Sequence, residues 1–114
     1  MMDKVKKYLP VGSVVLLKKG KRKVLIIGYF SAESQTKVKV YDYIGCLYPE
    51  GLYKANLSVG FNHDDIKEIY YMGYSDEEFK SFDDKLKDFK KLYVDENGNL
   101  KKTPKELLAN VPKN

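Results

Sequence analysis

"KVKVYDYIGCLY", residues 37–48, decides the fold. Valine, isoleucine and tyrosine dominate it, and these residues suit a pleated, half-buried surface. In an extended chain Val38, Val40, Ile44, Cys46 and Tyr48 share one face, and Tyr41, Tyr43 and Leu47 lie opposite. Asp42 interrupts the first face. Both faces are partly apolar, which is the pattern of a central strand in a curled sheet. Cys46 is expected to point into the core.

Reading forward, "PEG" (49–51) ends the strand, and "LYKANLSVGF" (52–61) adds a short one. "NHDDIKEI" (62–69) predicts one helical turn, with Asn62 as N-cap and Asp64 and Asp65 at its positive end. "EIYYMGY" (68–74) returns to strand composition. Reading backward, "ESQT" (33–36) is a polar turn and "KVLIIGYFSA" (23–32) a strand. Gly28 inside that strand marks a bulge or a close backbone approach. "GKRK" (20–23) is a hairpin turn with Gly20 free to take positive φ, and "SVVLLKK" (13–19) is its other strand. Residues 1–9 lead in, punctuated by Pro10 and Gly12.

Ser75 followed by Glu78 predicts a capping box that opens a helix over 76–93. Phe79, Phe82, Leu86, Phe89 and Tyr93 recur on it at spacings of three and four and form one apolar seam. "DENGN" (95–99) ends the helix, and the tail predicts a short helix from Pro104 to Asn110 capped by Thr103. The fold class is α+β: a small curled antiparallel sheet or partial barrel of four to five strands, followed by a C-terminal amphipathic helix. One domain is expected over 1–94, with strands within 13–74, and a tail over 95–114.

A length of 114 residues suits a single domain. With 43% hydrophobic and 32% charged residues, the composition is that of a folded, water-soluble chain. One cysteine cannot form an internal disulfide, and the longest apolar runs, "VVLL" and "VLIIGYF", fall far short of a membrane span. No signal-like apolar run follows the basic N-terminus, so a cytoplasmic location is expected. The net charge of +5 is uneven: residues 1–30 carry eight basic side chains against one acid, whereas the middle of the chain is net acidic.

Cys46 and His63 are the only residues from which a thiol–imidazole pair can be built. Cys46 lies mid-strand, without a helix N-terminus to lower its pKa, so it reads as a small core residue. One histidine beside two adjacent carboxylates in "NHDD" is too few for a closed metal site. No phosphate-binding glycine motif or nucleophile elbow occurs. The expectation is a protein that is not an enzyme, with no catalytic residue, no metal and no cofactor. The basic tip Lys18, Lys19, Lys21, Arg22 and Lys23 raises nucleic-acid binding as an alternative. The tyrosines lie away from that tip in sequence, which weighs against it.

Ten of the fifteen aromatic residues are tyrosines. Tyrosine offers large contact area at little rotamer cost and is enriched at protein interfaces. The candidate partner-binding surface is therefore Tyr43, Tyr48, Pro49, Glu50, Leu52, Tyr53, Tyr70, Tyr71 and Tyr74.

Three stretches in order, "LPVGSVVLLKKGKRKVLIIGY" (9–29), "YDYIGCLYPEGL" (41–52) and "FNHDDIKEIYYMGYSDEEFKSF" (61–82), resemble a small uncharacterised domain family of Gram-positive bacteria. Its members are typically encoded in type VII secretion loci beside LXG toxins and small helical WXG-like proteins. The most specific pieces are Leu9-Pro10-x-Gly12-Ser13, Tyr48-Pro49-Glu50-Gly51 and Phe61-Asn62-His63-Asp64-Asp65-Ile66. The resemblance implies a cytosolic chaperone or targeting factor that binds a secreted toxin or substrate and brings it to the secretion machinery. It supplies no catalytic residues. An immunity protein for a cognate toxin is a further alternative.

Overall fold

The computed structural model describes residues 7–32 and 39–101. The turn expected at 33–36 and the helix expected at 104–110 lie outside them. Among the described residues five strands form one antiparallel sheet: β1 (Val14–Leu17), β2 (Lys23–Ala32), β3 (Val40–Leu47), β4 (Val59–Phe61) and β5 (Ile66–Tyr71). Their order is β4-β3-β2-β1-β5, an open sheet rather than a closed barrel, with β3 internal as its two apolar faces predict. The helix α1 (Glu77–Tyr93) follows. Its cap is Asp76, whose carboxylate accepts the Phe79 N–H at 3.0 Å, one residue beyond the expected Ser75.

The seam of α1 packs on its own sheet. Leu86 is buried among Tyr8, Leu9, Val15, Val24, Ile26, Tyr43, Phe61 and Ile66. Phe82 meets Tyr29 edge-on at 5.9 Å, and Phe89 stacks on Phe30 at 4.9 Å. The predicted helical turn contracts to a 3-10 turn, His63–Asp65, and the chain is already strand at Ile66, where it pairs with Leu17. Gly20 turns the β1–β2 connection by donating to the Leu17 carbonyl at 3.0 Å, and it does not use positive φ. Gly28 does lie at a register shift between β2 and β3, and a Cβ there would stand 2.8 Å from Ile44 Cγ2.

The alternation of β3 is corrected by the structure. Asp42 and Tyr43 are adjacent, yet both turn to the helix side: Asp42 accepts from Lys90 of α1, and Tyr43 sits in the core under it. Opposite them Phe30 adopts φ +60°, so Tyr29 and Phe30 likewise both pack on Tyr8. A left-handed phenylalanine is strained and persists only where packing fixes it. Beyond this break Ile44 and Cys46 point away from α1. Cys46 is fully covered, but on the outer face, not in the main core.

A strap ahead of β1 crosses the helix side. The Tyr8 N–H donates to Asp83 (2.8 Å), the Leu9 N–H to the Tyr43 hydroxyl (3.0 Å), and the Leu9 carbonyl accepts from Tyr29 (2.6 Å). After α1 the chain does not leave at 94. Val94 bridges Leu100 and Asn99 bridges Lys39, which builds a second small cluster of Val40, Val94, Phe30, Phe89 and Leu100.

Candidate functional site

Cross-strand partners share a face of a sheet. Tyr71 of β5 pairs with Val14 of β1, Val14 with Leu25 of β2, and Leu25 with Cys46 of β3. These four therefore form one row on the face that α1 leaves uncovered. The next row runs Glu68, Leu16, Lys23. Tyr48 joins it at the end of β3, where its N–H donates to the Lys23 carbonyl at 3.0 Å.

Over these rows lies a groove of about 410 Å³. Val14 and Leu25 form its floor, and Tyr48, Tyr70, Tyr71 and Lys23 its walls. The Lys23 ammonium stands 5.9 Å from the Tyr48 ring centre and 5.2 Å from that of Tyr70, within reach of a cation–π attraction. Tyr70 is the extra residue at the β1–β5 register shift, since Val14 faces Tyr71 and Val15 faces Ile69. The bulge sets two neighbouring tyrosines on the same rim. Arg22 pins the loop after β3 through Glu50 and the Tyr48 carbonyl. Burial pushes the Cys46 thiol up, away from the thiolate a nucleophile needs.

The nine expected surface residues divide. Tyr48, Tyr70 and Tyr71 come together on the groove from β-elements far apart in sequence. Glu50 and Tyr53 line a second hollow of about 330 Å³ with Leu47, Leu57 and Val59, and Leu52 is exposed in the same loop, beside exposed Pro49. Tyr74, at 81% exposure, lies by the start of α1 with Phe79 and Phe82. Tyr43 is a correction. It is wholly buried, because its hydroxyl finds partners inside: the Leu9 N–H and His63 Nδ1, the latter at 2.7 Å.

Sequence reasoning missed Lys23, Val14 and Leu25 as site residues. It counted Lys23 with the basic tip and set the tip apart from the tyrosines. The β2–β3 pairing joins them, but the register shift at Ile26–Gly28 prevents counting that pairing from the sequence. His63 lies on the other side of the sheet from Cys46, beneath the helix with Asp42, whose carboxylate accepts the His63 N–H at 2.9 Å. Among the described residues no group of three or more His, Cys, Asp or Glu is placed to share a metal ion. In a hollow of about 500 Å³ between the strap and α1, Asp83 holds both the Tyr8 N–H and Lys87. No helix among the described residues is long and apolar enough to cross a membrane.

The family model described as a domain of unknown function, DUF4176, matches residues 8–82. The match runs from the first buried residue of the strap, through the whole sheet, into α1. No curated protein and no solved structure matches the chain.

Proposed function

The chain belongs to the DUF4176 family, and from that premise we propose that it is a non-enzymatic accessory protein that binds another polypeptide. One observation carries this reading: Tyr48, Tyr70 and Tyr71 stand 44–63% exposed around an apolar-floored groove on the sheet face opposite α1. Large aromatic residues with one end dry and one end wet are the usual anchors of protein interfaces. The three ordered motifs at 9–29, 41–52 and 61–82 support a finer reading. In it the partner is a type VII-secreted toxin or substrate of the LXG kind, met in the cytoplasm and targeted for export.

Co-expression with each polypeptide encoded in its own locus tests both levels. A stable complex is expected with the wild-type chain. The Tyr70→Ala/Tyr71→Ala double variant is expected to bind at least about tenfold more weakly, as loss of central aromatic anchors does. Its melting temperature stays unchanged, because both side chains are exposed. Failure of every product of its own locus to bind refutes the finer reading, and full binding by the double variant refutes the surface. Protection from a toxin's active domain, with no effect on its export, would assign the immunity role instead.

A further inference from the structure

The groove has a chemical preference as well as a shape. Among the described residues the Lys23 ammonium has two aromatic neighbours and no carboxylate. The two nearby acids are occupied elsewhere. Glu50 pairs with Arg22, and Glu68, in the same cross-strand row as Lys23, stands beside the Tyr70 hydroxyl. The ammonium is exposed beside the two rings, and a cation without a carboxylate gains from a charged acceptor. Beside it, Val14 and Leu25 offer an apolar floor in a volume typical of binding clefts, about 300–1,000 Å³.

We infer that the groove takes an aspartate or glutamate of the bound polypeptide on Lys23, with a neighbouring aliphatic or aromatic side chain on Val14 and Leu25. This deepens the protein-binding reading and rests on it. A nucleic-acid strand fits less well. It needs a track of cations along successive phosphates, whereas Lys23 is the one basic side chain among the residues lining this groove. A single acidic side chain needs no more than one cation.

A random peptide library displayed on phage and panned against the full chain reads this preference. Wild-type protein is expected to enrich peptides in which an acid adjoins an aliphatic or aromatic residue. Their binding falls about tenfold or more on Lys23→Met, survives on Lys23→Arg, and weakens with salt only where the cation is present. Lys23 is exposed, so both variants keep the wild-type melting temperature. Enrichment without an acid, no enrichment, or equal binding by Lys23→Met overturns the inference. So does oligothymidine binding that Lys23→Met abolishes. A complex with the locus partner that survives Lys23→Met but is lost in Tyr70→Ala/Tyr71→Ala sinks the acidic preference and leaves the protein-binding reading standing.

Discussion

Ser13 shows how much one small side chain can join. It is fully buried; its hydroxyl donates to the Pro10 carbonyl at 2.7 Å and accepts the Gly73 N–H at 2.9 Å. Gly73 must be glycine for this contact, since a Cβ there would lie 2.4 Å from the Val11 carbonyl oxygen. Ser13→Ala leaves the buried Gly73 N–H unpaired, while the Pro10 carbonyl keeps the Ser13 N–H at 3.2 Å. Chemical denaturation should show a loss of about 1–3 kcal/mol. Tyr8, Tyr29 and Tyr43 make a second prediction. Burial is the main cause that raises each phenol, Tyr29 to about 12, and the charges of Asp42 or Asp83 add to it. The fold thus favours the neutral phenol. Its contribution is complete below the ordinary tyrosine pKa of 10 and is lost as pH rises towards 12. Phenolate absorbance from these three should appear together with loss of the far-UV signal, and ionisation of all ten tyrosines in an intact fold would refute their burial. The exposed tyrosines were legible from composition and turn context. Tyr43 was not, because its hydroxyl's partners lie 34 and 20 residues away.

Among the elements, β2 was legible to the residue, since "KVLIIGYFSA" is bounded by a basic turn and a polar one. The seam of α1 was legible because its period is local. What seam arithmetic did not provide is Asp83, an acid buried within α1 that receives the strap. The expected turn over 62–69 shortened because long-range pairing of Ile66 with Leu17 overrides a local cap. Two leucines of α1 separate seam from surface. Leu86 is 5% exposed and Leu92 is 64% exposed. Leu86→Ala should cost about 2–4 kcal/mol by thermal or chemical unfolding, and Leu92→Ala no more than about 0.5 kcal/mol. Equal effects would mean that α1 is rotated on the sheet.

At the scale of the molecule, the α+β plan followed from periodicity, but the site did not. Its walls come from β2, β5 and the loop after β3, and two irregularities, the β2 register shift and the β1–β5 bulge at Tyr70, decide which side chains emerge together. Gly28 marks the first, but the second is not written in a pattern of apolar and polar letters. The strap carries a last consequence. Tyr8 and Leu9 belong to no strand or helix, yet their amides are bonded to side chains of α1 and β3. In deuterated water these two amides should exchange as slowly as the middle of the sheet, because releasing them requires helix and sheet to part.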